Sequence, residues 1–245
     1  MGIFRFFVDK SNIEGDEIVL TGENAAHGAV LRLTAGEEIV ACDQDGIDHF
    51  CLVSTISKGE IRAKVCQSKK NIAEAQVDIT LYQALTKGDK MAEIVEKCVE
   101  LGVSSIVPVV TARCVARSSS RDSGKTNRWQ KIAESAAKQS GRGKIPKIGG
   151  VLTLDEAISH AKGTCFFCYE LEDKLSLPAF LKALPKEADA ISFFIGPEGG
   201  FAAEEAAKFK AQGFAAVSLG RRILRTETAG PAVAANIMYQ LDGEL

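Results

Sequence analysis

The chain has 245 residues, enough for one large domain or two modest ones, with 46% hydrophobic and 25% charged residues, an ordinary soluble composition. A net charge of -2 does not by itself point to a polyanionic partner. No membrane-length apolar stretch is visible, Phe6 is wrong for a myristoylation signal, and seven scattered cysteines suit reduced thiols, so a cytoplasmic protein with no membrane partner is expected.

From Arg5 to about Ser68, short alternating runs such as 38–42, 48–53 and 61–65 are separated by turn residues such as Asp45-Gly46 and Lys58-Gly59. This spacing predicts a small β-barrel over residues 1–70. His27 stands before an expected strand in His27-Gly28-Ala29-Val30-Leu31-Arg32-Leu33 and has no partner motif, so a structural histidine is favoured over a base or an RNA contact. Residues 69–74 are polar and form the expected linker. Beyond them strands alternate with helices, which predicts an α/β domain over 74–245.

In that second part, 77–84 is a strand. Met91, Ile94, Val95, Cys98 and Leu101 put one apolar face on a helix from about Met91, available for core packing or a dimer contact. Residues 105–110 form the next strand. From Arg113 to Lys147 there are ten Lys or Arg and two acidic residues, a local net of +8. A basic, Ser-rich stretch carrying Arg113, Arg117 and Arg121 is a candidate RNA backbone contact; its alternative is a solvated loop and helix face. Trp129 starts a helix to about Gln139 and is more useful as a core anchor than as a stacking platform. Cys165 and Cys168 form a C-x-x-C inside a strand, where odd spacing sends the two thiols to opposite faces, and no metal site is expected.

The stretch from Ile191 to Ala235 organises the rest. The apolar strand 191–195 breaks into Gly196-Pro197-Glu198-Gly199-Gly200, and a helix follows over 201–212. A second strand, 215–219, ends in Gly220 and the polar run Arg221-Arg222-Ile223-Leu224-Arg225-Thr226-Glu227-Thr228, with a last helix from about Ala229 to Leu241. That helix is apolar on several faces, which suits burial between subunits or inside one. Two strand ends followed at once by glycine predict two backbone loops meeting at the carboxyl edge of a parallel sheet, where ligands of open α/β sheets bind. Neither G-x-G-x-x-G nor G-x-x-x-x-G-K-[ST] occurs, which disfavours a dinucleotide or ATP enzyme.

The string Ile195-Gly196-Pro197-Glu198-Gly199-Gly200-Phe201 followed by Leu219-Gly220-Arg221-Arg222-Ile223-Leu224-Arg225-Thr226-Glu227-Thr228-Ala229 resembles the signature of the ribosomal RNA small subunit methyltransferase E family, within the SPOUT superfamily. His27 to Leu33 and Gln139-Ser140-Gly141-Arg142 resemble further motifs of that family. The resemblance implies a PUA-like β-barrel, a SPOUT α/β domain with a deep trefoil knot, a homodimer, and methylation of uridine N3 in 16S ribosomal RNA of the small ribosomal subunit by S-adenosylmethionine (SAM). It implies cofactor contacts from Ile195, Gly196, Pro197, Gly199, Gly200, Leu219, Gly220, Ile223, Leu224, Thr228 and Ala229, with Glu170 and Leu171 as weaker candidates. Phosphate contacts are implied for Arg5 and Arg32, and an RNA-contact or active-site role for Arg142. For the chemistry, Arg225 is expected to stabilise negative charge on the uracil, and Glu198 and Glu227 are the candidate acceptors of the N3 proton. Ala202 departs from the family's usual Ser or Thr helix cap. Two other readings stand beside this one: a SPOUT methyltransferase acting on transfer RNA or on a ribose 2′-oxygen, and a noncatalytic RNA-binding assembly factor.

Overall fold

A computed structural model describes residues 3–114, 123–185 and 188–241. The chain divides into two compact units. The first takes the described part of Met1–Glu74 together with Ala137–Ile145; the second takes Ala75–Ala136 and the rest from Pro146 onward.

The first unit is a six-stranded sheet in the order β1 (Phe4–Phe7), β4 (Glu38–Cys42), β5 (Ile47–Ser57), β6 (Glu60–Lys70), β3 (Glu17–Thr21), β2 (Ile13–Glu14). Only the β1–β4 pair is parallel. Alternate residues of five strands (Phe6, Ile18, Leu20, Ile39, Ala41, Cys51, Val53, Ile61 and Ala63) point into one core, so the sheet curls around it. One expectation fails here. His27 lies in helix α1 (Gly22–Val30), not before a strand: Val30 is 78% exposed, and Arg32 turns the chain with φ 57°. An apolar run this short fits strand or helix by pattern alone, and the packed position of Gly28, where a Cβ would meet Ile61 at 2.4 Å, decides for the helix.

The sequence expectation of a contiguous barrel also changes, because residues 137–145 join this unit. The reason is polar. The Glu74 carboxylate accepts from the Arg142 guanidinium at 2.8 and 3.2 Å and from the backbone N–H groups of Gly143 (2.9 Å) and Lys144 (3.0 Å). Asn71 Nδ2 donates to Gly141 O and to Asp48, and Asp48 in turn holds Arg5 through two bonds of 2.6 and 2.9 Å.

The second unit is built on a wholly parallel sheet, β10 (Leu152–Thr153), β8 (Ser105–Val110), β7 (Asp78–Ala84), β12 (Ala190–Ile195), β11 (Thr164–Cys168), β13 (Ala215–Val217), with β9 (Lys147–Ile148) beside β8. Strands this apolar need cover on both faces. On one face, Phe194 of β12 and Phe167 of β11 pack with Phe209 of α6 (Ala203–Ala211), ring centroids 4.9 and 4.5 Å away, alongside α4 (Leu154–His160). On β12 the neighbouring Phe193 meets Phe166, which packs on Phe180 of α5 (Leu177–Lys182). Helix α2 (Lys90–Glu100) buries Met91, Ile94, Val95 and Cys98 and packs on α7 (Thr226–Leu241). Its apolar face is therefore core within the chain.

Helix boundaries moved where polar sequence hid them. Helix α3 spans Ser123–Gln139, six residues ahead of Trp129, which is 7% exposed and acts as an anchor. Helix α7 begins at Thr226 rather than Ala229, because the Arg225 carbonyl accepts from the N–H groups of both Thr228 and Ala229. Val233, Ala234, Ile237 and Met238 are buried within the chain, and Tyr239 is exposed. At Ala202 the missing cap is replaced from the other side: Glu205 accepts the Ala202 N–H at 2.8 Å and the Ala112 N–H at 2.8 Å.

Glu74→Ala leaves the Arg142 guanidinium, 3% exposed, without its carboxylate. Breaking a buried pair from one side costs about 3 kcal/mol or more. Urea unfolding followed by circular dichroism is expected to show the first unit melting early by that amount, while Lys144→Ala leaves the transition in place.

Candidate functional site

The carboxyl ends of β12, β11 and β13 lie side by side, because β11 pairs with both of the others in parallel. The loops leaving β12 and β13 therefore emerge at one edge of the sheet, and a cavity of about 470 Å³ opens between them. Its wall contains Ile195, Gly196, Pro197, Glu198, Gly199 and Gly200 from the first loop. Leu219, Gly220, Ile223, Leu224, Arg225, Glu227 and Ala229 line it from the second. Of the expected cofactor residues, Thr228 is the exception: it is exposed and outside the lining. Glu170 lines the cavity; Leu171, 73% exposed, does not.

The first loop is bare backbone for physical reasons. Gly200 has φ +67° and donates its N–H to Pro197 O at 2.9 Å, closing a turn. A Cβ on Gly200 would lie 2.2 Å from Glu170 Oε1, so the carboxylate rests directly against this glycine. Arg113 steadies the loop from the end of β8 by donating to Gly199 O at 2.8 Å. The second loop is joined to the first by Thr226. Its hydroxyl donates to Gly196 O at 2.7 Å and accepts from Gln83 Nε2 at 2.9 Å, with Thr226 and Gln83 both buried.

Charges collect at the same place. Lys90 Nζ lies 3.3 Å from Glu198 Oε1 and 3.2 Å from Glu227 Oε2, and Glu198 also accepts the Lys87 N–H at 3.2 Å. Burial pushes the Glu198 carboxyl up, but bonds from its own N–H and that of Lys87, with the Lys90 ammonium, hold it below the usual range. Glu227 is held low first by its own backbone N–H, against burial, and then by Lys90 and Arg225. Both are therefore anions, and weak bases. Arg225 lines the cavity, but its side chain is 83% exposed and its nearest carboxylate oxygen, on Glu227, is 4.0 Å away, so it is not the fixed guanidinium expected from the sequence. Cys168, at the end of β11, also reaches the cavity, and burial pushes its thiol far up, keeping it protonated. Among the described residues no group of three or more His, Cys, Asp or Glu is placed to hold a metal, and no helix is long and apolar enough to cross a membrane.

The arginines expected to meet RNA separate. Arg117 and Arg121 lie outside the described residues. Arg32 and Arg113 are exposed. Arg5 and Arg142 are turned inward, 13% and 3% exposed, in the ion pairs to Asp48 and Glu74. Their use is to hold the first unit together, which corrects the expectation of a phosphate contact at Arg5 and of an RNA-contact or active-site role at Arg142. Sequence reasoning assigned no role to Lys90, Tyr169, Ser218, Arg222 or Thr226, all of which line the cavity. Tyr169 follows β11 directly, so the strand-end rule reaches it; nothing in the sequence around Lys90 marks that residue.

A family model for an RNA methyltransferase domain matches residues 73–238, and one for an RNA methyltransferase PUA domain matches residues 20–66. The ribosomal RNA small subunit methyltransferase E of Bacillus subtilis is 30% identical over 249 residues, covering 97% of each chain. The crystal structure of the Neisseria gonorrhoeae ribosomal RNA small subunit methyltransferase E bound to SAM superimposes with a TM-score of 0.87 at 31% identity, covering 97% of each chain. A Legionella pneumophila protein solved with bound SAM is 28% identical, with a TM-score of 0.85 and coverage of 97% and 98%. With these matches over nearly its whole length, the chain belongs to the ribosomal RNA small subunit methyltransferase E family.

Proposed function

We propose that this protein transfers a methyl group from SAM to N3 of one uridine in 16S ribosomal RNA of the small ribosomal subunit. The observation that carries the reading is the cavity built by two glycine-containing loops, the first of them largely bare backbone, with paired carboxylates and an exposed arginine beside them. In relatives of the same fold and family, SAM is the bound molecule. A volume of about 470 Å³ is within the range of small-molecule pockets.

The residues fit the cofactor. Backbone groups of the Gly196–Gly200 loop and of Leu219 and Gly220 are open for the adenine and ribose, with Ile195, Leu219 and Leu224 as apolar walls. Glu170, against Gly200 and without an ion-pair partner among the described residues, is placed to accept hydrogen bonds from ribose hydroxyls. SAM supplies an electrophilic methyl on a sulfonium.

The rest is the work of the chain. Uridine N3 carries a proton that must leave as the N–C bond forms, and the base must be brought out of its stack at a cost of a few kcal/mol. Arg225, free at the mouth, donates to the uracil oxygens as negative charge develops. Glu198 and Glu227 are the carboxylates in place to take the proton; held as anions, they do so as charge transfers rather than in advance. The exposed Arg221 and Arg222 beside Arg225 offer the RNA backbone a cationic rim, and the PUA-like unit adds RNA contacts. The chain acts in the cytoplasm as a homodimer. Its catalytic unit carries the trefoil knot of the SPOUT superfamily, a reading that rests on its family membership and is compatible with the wholly parallel β7–β12–β11–β13 order.

Nucleoside mass spectrometry of 16S ribosomal RNA from a strain lacking the gene is expected to show loss of 3-methyluridine, restored by the wild-type gene. Arg225→Ala should lower the rate roughly 10²-fold while SAM still binds; unchanged 3-methyluridine in the deletion strain refutes the reading. Thr226→Val strands the Gly196 carbonyl and leaves Gln83 Nε2 with only its bond to Ala84 O, at a cost of about 1–3 kcal/mol. Thermal melts should report that loss, and calorimetry a weaker affinity for SAM.

A further inference from the structure

Lys90, like Thr226, lines the cavity without a local sequence signal, and its position runs against local preference. It is the first residue of α2, where a cation opposes the helix dipole and an exposed side chain would simply be solvated. Instead its side chain is 32% exposed and its nitrogen stands within 3.3 Å of carboxylates from two other elements, Glu198 of the loop after β12 and Glu227 of the first turn of α7. With both oxygens that close to one nitrogen, the carboxylates are near neighbours sharing a single cation. The other charged groups facing them are Arg225, 4.0 Å from Glu227 but 83% exposed and screened by solvent, and Arg222 and Glu170 on the cavity wall. Tyr169 and Cys168 are the remaining titratable groups of the lining.

We infer that Lys90 is a positioning residue for the methyl transfer: its one ammonium clamps Glu198 and Glu227 at the cavity and ties the Gly196–Gly200 loop to the first turn of α7. The inference rests on the proposed reaction for its catalytic meaning, and on geometry alone for the clamp. Two anions and one cation carry a net charge of -1, which a single proton from N3 neutralises. The ammonium then pairs with whichever carboxylate stays ionised, so the site accepts the proton without stranding a charge. Without Lys90 the two carboxylates face each other as like charges, and protonation of one is favoured before the reaction begins. The sign follows: both carboxyls are held low first by backbone N–H groups, against burial, and then by this pairing, so removing the cation moves both up.

The test is carboxyl carbon NMR titration of Glu198 and Glu227 in the full chain without RNA, in wild type, Lys90→Met and Lys90→Arg. Lys90→Met is expected to raise both midpoints by about one unit, and Lys90→Arg to leave them in place. In methylation assays the acid limb of the kcat profile should move up with them in Lys90→Met only. If Lys90→Met does not fold, Glu227→Gln reports instead: with the whole ammonium and no neighbouring anion, the Glu198 midpoint falls. Midpoints that stay put in Lys90→Met, or in Glu227→Gln where that variant must serve, overturn the clamp. Midpoints that move in a protein that makes no 3-methyluridine leave the clamp standing and overturn the proposed reaction.

Discussion

The catalytic unit depends on one short hydrogen bond, from the Thr226 hydroxyl to the Gly196 carbonyl. The two loops that make the cavity leave strands separated by β11, and their backbones have few regular partners of their own. A buried hydroxyl that donates to one loop and accepts from Gln83, beneath, fixes the spacing between them. Because Thr226 is also the first residue of α7, the same bond ties the start of that helix, with Glu227 next to it, to the first loop. The aromatic stack around Phe209 does the complementary job below: it holds β11, β12 and Phe201 at fixed separations so that the loop between Ile195 and Phe201 has fixed ends.

Much of this was legible in the sequence because it obeys short-range rules. The apolar run 191–195, the glycines after it and the expected strand 215–219, observed as Ala215–Val217, announce a sheet edge with ligand-facing backbone, and the cavity lies there. What was hidden depends on distance along the chain. Lys90 reaches the site across more than a hundred residues of sequence, and no local pattern says that a helix-initial lysine folds back onto Glu198. Arg5 and Arg142 look like solvated or RNA-facing arginines until Asp48 and Glu74 are seen beside them. Arg225 erred the other way: a motif suggests a fixed guanidinium, and the structure leaves it in solvent.

The helix starts teach the same lesson on a smaller scale. At α3 and α7 a polar or basic stretch reads as loop, yet it is helical, because a first turn tolerates Ser, Thr and Lys when the following turns are packed and, at α7, when the Thr226 hydroxyl is itself buried and hydrogen-bonded. At α1 a short apolar run reads as strand, and the close approach of Gly28 to Ile61 overrides it.

The first unit borrows residues 137–145 from far along the chain, and this bears on the order of synthesis. When residues 3–74 have left the ribosome, the strands can pair and their apolar core can close, but Glu74 has no guanidinium and Asn71 lacks its backbone acceptor on Gly141. About seventy further residues must emerge before those polar groups are satisfied. The nascent domain therefore waits, incompletely locked, while most of the strands that will form the catalytic sheet are still unmade. Maturation of the amino-terminal unit is thus timed by a segment of the following domain, and a fragment cut after residue 74 carries a fold whose last polar layer is missing.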